Sequence, residues 1–236
     1  MTNRIGGFIY ARSDSRRLPG KPLYDIGGTR LIDIIFARAK HLNVAKNILL
    51  TTDRVIDDPL ADYCQAQGYE VFRGDAFDLV KRTLQAIDAY QLDGFVRING
   101  DCPLLEPTLV NAGLEQLNND TGCVSNLFQR TYPYGIAVEC ISSVLFQRFA
   151  TFALEAEREH VTSHLYRLRD RFTRISMEDA AGNHCDLRMT VDTLSDHKQM
   201  CRLSENGDIS RDSYWRLCGL PPPINSFKKE YIKHGE

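Results

Sequence analysis

The stretch Arg12-Ser-Asp-Ser-Arg-Arg-Leu-Pro-Gly-Lys21 places four cations and two hydroxyls within ten residues. Arginine forks onto pairs of phosphate oxygens and lysine acts as a compact point charge, so this composition suits a polyphosphate. It is not one of the common phosphate loops. Lys21 is followed by Pro22, Ser15 stands where a Walker loop needs its first glycine, and no G-x-G-x-x-G is present. Two carboxylates add hard oxygen donors: Asp101 after Asn99-Gly100, and Asp192 after Leu187-Arg-Met-Thr-Val191. Mg²⁺ is held by one or two such carboxylates together with phosphate oxygens. The combination favours metal-assisted phosphoryl or nucleotidyl transfer. Each part also has a plainer reading: solvated turn charges for the loop, a turn or cap before Pro103 for Asp101, and the N-cap of a following helix for Asp192.

The elements that must position these groups read as alternating strands and helices. Ile5 to Tyr10 is a short apolar strand that runs directly into the basic loop, and Leu31 to Leu42 has helical spacing. Lys46 to Thr52 reads as a buried strand, Asp58 to Gln67 as a helix stopped by Gly68, and Tyr69 to Phe72 as a strand. Asp78 to Tyr90 is helical, Gly94 to Asn99 strand-like and Pro107 to Leu117 helical. This rhythm predicts an α/β fold with a mainly parallel sheet, in which ligands sit beyond the carboxyl ends of the strands. The basic loop and Asp101 lie at that edge, as does Asp192 if its strand runs the same way.

From Gly122 the rhythm changes. Strands over Gly122–Asn126 and Gly135–Ile141 flank a loop, Gln129-Arg-Thr-Tyr-Pro-Tyr-Gly135, rich in aromatic and turn residues. A long helix over Leu154–Asp170, strands over Phe172–Ser176 and Asp186–Val191, and a helix over Ser195–Leu203 follow. The expected organisation is a single domain over 1–220 with an inserted lobe at 122–175. A polar surface extension over 221–236 begins at Pro221-Pro-Pro223.

Composition narrows the class. Lys plus Arg number 29 against 31 Asp plus Glu, a net charge of -2, which removes the driving force for indiscriminate nucleic-acid binding. No apolar run approaches the roughly 18 residues needed to span a bilayer, and the first residues lack a signal peptide, so a cytoplasmic address without membrane partners is expected. Seven cysteines with no C-x-x-C pair read as reduced core residues rather than disulfides or structural zinc.

Ala11-Arg12, Ser15 and Arg17-Leu-Pro-Gly-Lys-Pro-Leu23 closely resemble the N-terminal signature of the sugar-activating cytidylyltransferases, especially those that activate 3-deoxy-manno-octulosonate. Arg73-Gly-Asp75, Asn99-Gly-Asp-Cys-Pro103 and Val191-Asp-Thr193 resemble the later motifs in order. Tyr132-Pro-Tyr-Gly135, Val138-Glu139 and Glu157-Arg-Glu-His-Val-Thr162 bring the likeness nearest to the spore-coat-polysaccharide F-like and acylneuraminate branch. The resemblance implies a Rossmann-like fold of the nucleotide-diphospho-sugar transferase type, with a small lobe that makes a homodimer. The implied reaction joins CTP to a 2-keto-3-deoxy sugar acid, giving a CMP-sugar and pyrophosphate for surface polysaccharide. It also implies roles. Arg12 and Lys21 are catalytic, and with Ser15, Arg17, Arg73, Asp78 and Asn99 they hold the nucleotide. Tyr134, Glu139, Arg158 and His160 face the sugar, and Asp101 and Asp192 hold Mg²⁺.

Three positions depart from that pattern. Tyr10 stands where the relatives have Pro, Asn99 where the octulosonate enzymes have Gln, and Asp14 replaces a small residue. Asp14 sets a negative charge beside the triphosphate unless it points away or pairs with Arg16.

Several residues keep competing readings. Glu157, His160 and His164 at i, i+3 and i+7 have a spacing that suits zinc, without the H-E-x-x-H motif. Arg158 and His160 serve equally for surface or dimer packing, Tyr132 and Tyr134 for lobe contacts, and Asp78 as a helix cap with Arg73 solvated. Two other function classes stand beside the leading one: a nucleotide-sugar-dependent glycosyltransferase, and a catalytically silent nucleotide-binding protein. The basic loop favours a free triphosphate over a diphospho-sugar, which has less charge to neutralise.

Overall fold

The computed structural model describes residues 4–118, 121–180, 182–205 and 225–230. In chain order the elements are β1 (Ile5–Tyr10), β2 (Asp25–Ile26), β3 (Thr29–Arg30), α1 (Leu31–Ala39), β4 (Lys46–Thr52), α2 (Asp58–Ala66), β5 (Glu70–Gly74), α3 (Leu79–Tyr90), β6 (Gly94–Asn99) and α4 (Pro107–Gln116). There follow β7 (Cys123–Ser125), β8 (Glu139–Ser142), α5 (Ser143–Ala150), α6 (Ser163–Arg167), β9 (Arg174–Asp179), α7 (Leu194–Glu205) and β10 (Asn225–Glu230).

Eight strands form one sheet in the order β10-β9-β7-β8-β6-β1-β4-β5, and β2 and β3 pair separately. β1 lies between β6 and β4, parallel to both, and β5 continues the parallel set. β8 runs antiparallel between β6 and β7, β9 pairs parallel with β7, and β10 closes that edge antiparallel. All strands of this sheet except β8 and β10 therefore run with β1. The fold is a Rossmann-like α/β sheet, as the alternation predicts.

Strand alternation sends side chains to two cores. Ile9, Leu49, Val96 and Ile98 pack with Leu31, Ile32 and Ile35 of α1 and Val110 of α4. Phe8, Ile48, Leu50 and Phe95 pack on the other face with Val80 and Ile87 of α3 and Phe146 of α5. Complete burial of a side chain of this size contributes roughly 1.5–3 kcal/mol, so the two cores fix the parallel strands and with them the edge carrying the loops. Residues 122–175, the region expected as a lobe, contribute β7 and β8 to the central sheet and α5 and α6 to the second core. Cys64, Cys102, Cys123 and Cys140 are free and buried. No helix among the described residues is long and apolar enough to cross a membrane.

Four expectations are corrected. The helix over 154–170 is instead a 3₁₀ turn at Glu155–Glu157, the short α6 and a second 3₁₀ turn. The Arg158 carbonyl is given to the Leu79 N–H at the start of α3 (2.8 Å), which removes an acceptor from any continuous helix. Residues 186–191 form no strand, only a bridge between Tyr134 and Arg188. β8 begins at Glu139 rather than Gly135 because the Asn126 amide takes over the backbone there, donating to the Ile136 carbonyl (2.7 Å) and accepting from the Val138 N–H (2.9 Å). Finally, residues 225–230 of the expected extension are an edge strand on β9. The Pro221–Pro223 run and the expected boundary at 220 lie outside the described residues. Helix α5 and the β2–β3 pair were not expected.

Candidate active site

A cleft of about 620 Å³ opens beyond the carboxyl ends of β1 and β6. Gly100 permits this junction: a Cβ there would come within 2.5 Å of the Tyr10 carbonyl and 2.6 Å of the Ala11 Cβ. The Gly100 N–H donates to the Tyr10 carbonyl at 2.8 Å, so the two strand ends leave the sheet together.

The basic loop is held from both sides. Its Gly20 N–H reaches back to the Ser13 carbonyl (2.7 Å), and the Ser13 N–H donates to the buried Asp57 carboxylate (2.6 Å). Asp14 pairs with Arg54 from the neighbouring βα loop and with Arg12 (3.3 Å), rather than with Arg16. Its charge is therefore matched. Burial works to raise the Asp14 pKa, yet the Arg54 hydrogen bond and the nearby Arg12 and Arg54 charges outweigh it and hold the carboxyl below its ordinary value.

At the centre, Lys21 Nζ donates to Asp101 Oδ2 (2.7 Å) and to Asp192 Oδ1 (3.1 Å). Arg17 also pairs with Asp192, and Arg188 approaches it at 3.3 Å. Burial disfavours the Lys21 ammonium, but the Asp101 charge and the hydrogen bonds to both carboxylates more than offset this and raise its pKa. Asp192 is likewise pushed up by burial and pulled further down by Lys21 and Arg17. The backbone sets this meeting. The Val191 N–H and the Thr190 hydroxyl both donate to the Asp101 carbonyl, at 2.7 and 3.0 Å. That segment is in turn stitched to the aromatic loop through Tyr134 N–H to Leu187 carbonyl (2.8 Å) and Met189 N–H to Tyr134 carbonyl (2.7 Å).

Helix-capping duties fall to other residues. Thr193 and Asp196 cap α7, with the Asp196 carboxylate accepting from the Asp192 and Thr193 N–H groups. Glu106 caps α4. Asp101 and Asp192 are thus free of capping, and their oxygens converge on the Lys21 ammonium beside the cleft. Two hard carboxylates in that arrangement fit Mg²⁺, which completes its shell with phosphate oxygens and water. The zinc reading has no such support. Among the described residues no group of three or more His, Cys, Asp or Glu side chains is placed to hold a metal. Glu157 binds Arg167, and His164 is fully buried.

Of the residues expected at the site, Arg12, Ser15, Arg17, Lys21, Asn99, Asp101, Asp192, Tyr134 and His160 line one cleft. Tyr134 is 45% exposed, with the Arg188 guanidinium 4.9 Å above its ring. Four others are engaged outside the lining. Arg73 donates to the Thr52 and Arg54 carbonyls and to Asp58, tying two βα loops together. Asp78 caps α3 through Lys81 N–H (2.7 Å) and pairs with Arg158 (2.7 Å). Glu139 is buried between Arg97 and the Tyr166 hydroxyl. Tyr132 does line the cleft but is buried, while Tyr134, two residues on, is exposed at the opening. Sequence reasoning missed Arg82, Arg97 and Arg130, which also line the cleft. A signal for two of them existed: Arg97 interrupts an otherwise apolar strand, and Arg82 falls on the apolar face of α3.

Loop cations thus meet two carboxylates in a cleft beyond the carboxyl ends of parallel strands, the edge at which open α/β sheets bind ligands. Residues 7–204 match the cytidylyltransferase family, and the chain belongs to that family. It is 30% identical over 233 residues to the spore coat polysaccharide biosynthesis protein SpsF of Bacillus subtilis, a match covering 93% of this chain and 96% of that one. A 3-deoxy-manno-octulosonate cytidylyltransferase of Psychrobacter is 35% identical over 121 residues, covering 49% of this chain and 43% of that enzyme. The solved structure of a cytidylyltransferase from Leptospira borgpetersenii superposes with a TM-score of 0.78 at 26% identity, covering 89% of this chain and 98% of that one.

Proposed function

We propose that this cytidylyltransferase transfers CMP from CTP to the anomeric hydroxyl of an acidic 2-keto-3-deoxy sugar of the octulosonic or nonulosonic type, for surface polysaccharide. The observation that carries the reading is the convergence of Lys21, Asp101 and Asp192 in a cleft walled by Arg12, Arg16 and Arg17. The similarity to an octulosonate cytidylyltransferase supports an acidic sugar, and that to a spore coat polysaccharide biosynthesis protein supports a polysaccharide destination. In the transfer, a bond forms from the anomeric oxygen to the α-phosphorus. The bond from that phosphorus to its bridging oxygen breaks, pyrophosphate departs with the electron pair, and the hydroxyl proton passes to water. Positioning and charge stabilisation by the loop cations supply most of the acceleration. Asp101 and Asp192 would hold Mg²⁺, which would supply further positive charge to the triphosphate.

Pyrophosphate release measured with each of the four nucleoside triphosphates against a panel of sugar acids tests the reading. Turnover with CTP and a 2-keto-3-deoxy acid is expected. Turnover only with a nucleotide-sugar donor would replace it by the glycosyltransferase. The proposal includes a homodimer formed through residues 122–141, so light scattering that gives a mass near 26.8 kDa at working concentration removes that part.

A further inference from the structure

At the floor of the cleft lies a guanidinium with no ion-pair partner among the described residues. Arg82, in the first turn of α3, is 2% exposed and lines the cleft. Among the described residues its Nε has no hydrogen-bond partner and its side chain makes no ion pair. The acidic groups whose fields reach it, Asp57 and Asp75, are engaged elsewhere. Asp57 holds Thr52 and the Ser13 N–H, while Asp75 holds Lys81 and the Phe77 and Asp78 N–H groups. Arg97 lines the same cleft; its Nη1 pairs with Glu139, but its Nε is also unpartnered. Tyr10 feels both guanidinium charges, and its hydroxyl is fixed to Thr83 at 2.8 Å. Of the two guanidiniums, Arg97 has a carboxylate partner and Arg82 has none among the described residues.

Burying a charge is costly unless it is paired, and a guanidinium cannot escape by losing its proton. The floor is therefore one negative charge short. A neutral hexose leaves that deficit in place. The triphosphate has its own cations at the cleft mouth, whereas a planar carboxylate matches the guanidinium fork. We infer that Arg82, with Arg97 beside it, anchors the carboxylate of the acceptor sugar. The assignment rests on the acidic-sugar reading above and adds to it the residue that selects for the acid.

Pyrophosphate release by the full chain, by Arg82→Gln and by Arg82→Lys is measured with CTP and either 3-deoxy-manno-octulosonate or N-acetylneuraminate, varying each substrate in turn. Truncating one partner of a buried charged pair predicts a rise on the order of 10²-fold in KM for the sugar acid in Arg82→Gln. KM for CTP stays unchanged. Arg82→Lys, which keeps the charge and loses the fork, recovers part of the loss. The melting temperature of ligand-free Arg82→Gln is expected to match or exceed that of the unaltered chain, because an unpaired buried charge has been removed. A rise confined to KM for CTP would assign Arg82 to the nucleotide, and a collapse in melting temperature would make it structural; either overturns the inference and leaves the acidic-sugar reading standing. No turnover of either acid by the unaltered chain removes that reading itself.

Discussion

The mouth and the floor of the cleft treat positive charge in opposite ways. At the mouth each key cation has a partner within the chain: Lys21 with Asp101 and Asp192, Arg17 with Asp192, and Arg12 with Asp14. At the floor Arg82 has none among the described residues. A matched cation holds its geometry without ligand but must share or exchange its partner when a phosphate arrives. An unmatched one stands ready for an anion, at a cost to the stability of the empty protein. Preorganisation and stability are thus divided between two sets of side chains a few residues apart in the fold.

The largest expected effect comes from removing the hub of the mouth. Lys21→Ala should lower kcat on the order of 10²-fold or more, the typical loss of a preorganised donor to developing charge. A circular dichroism spectrum like that of the unaltered chain controls for folding. Near-normal turnover would show that the other mouth cations suffice and that Lys21 is only a tether for the two carboxylates.

Next in size are the carboxylates themselves. Asp192→Asn and Asp101→Asn should each slow turnover and shift its Mg²⁺ dependence to higher concentration. The double variant should lose less than the sum, since groups acting through one ion form one unit. Because Thr193 and Asp196 cap α7, Asp192→Asn keeps the helix cap, and any fall in the urea midpoint reports the lost ion pairs with Lys21 and Arg17. A normal Mg²⁺ titration in Asp192→Asn would leave Asp101 as the lone protein ligand.

How far the sequence foretold this division follows from its physics. The parallel sheet and the mouth were legible because they rest on local signals: apolar strand, cationic loop, and a carboxylate just past a strand. Asp192 was placed correctly at the edge for the wrong reason, since tethers to the Asp101 carbonyl hold it where a strand was expected. The floor was illegible because Arg82 and Arg97 come from different elements, and only tertiary packing shows which buried cation finds a carboxylate. The broken helix at 154–170 was hidden likewise, since its interruption depends on α3 claiming the Arg158 carbonyl.

A smaller effect tests whether the mouth is held in place by its own ion pairs. Arg54→Ala frees Asp14 on one side, and a partly exposed pair of this kind is worth on the order of 1 kcal/mol or less. KM for CTP should rise roughly fivefold at most, with kcat retained. The Asp14 carboxyl is held below its ordinary value, so the pair contributes above the unfolded carboxyl pKa and is lost as pH falls through the depressed folded value. The difference between the two chains should accordingly shrink in acid. A KM for CTP that is equal in both chains at neutral pH would show the loop is fixed by Gly20 and Asp57 instead.

The smallest effect on turnover concerns a third buried base, which escapes the problem of Arg82 by giving up its proton. His164 is fully buried, its ring centroid lies 5.4 Å from that of Phe146, and neither ring nitrogen has a hydrogen-bond partner among the described residues. Burial holds its pKa down at about 4, with Glu157 opposing and Arg167 and Arg158 reinforcing the shift. In the unfolded chain an ordinary histidine titrates near 6.5. Above that value both states are neutral and His164 adds no pH dependence. Between about 6.5 and about 4 the unfolded chain takes up a proton that the folded chain refuses, so stability falls with pH by at most about 1.4 kcal/mol per unit. His164→Leu deletes that proton while keeping an apolar group under Phe146. Urea denaturation across this range should give a shallower loss of stability for the variant, with parallel curves above pH 7 and unchanged neutral turnover. Every carboxylate that also titrates there is common to both chains, so their difference isolates the one residue. Equal slopes would mean that His164 accepts a proton in the folded state and that this core, like the cleft mouth, holds a counter-charge for it.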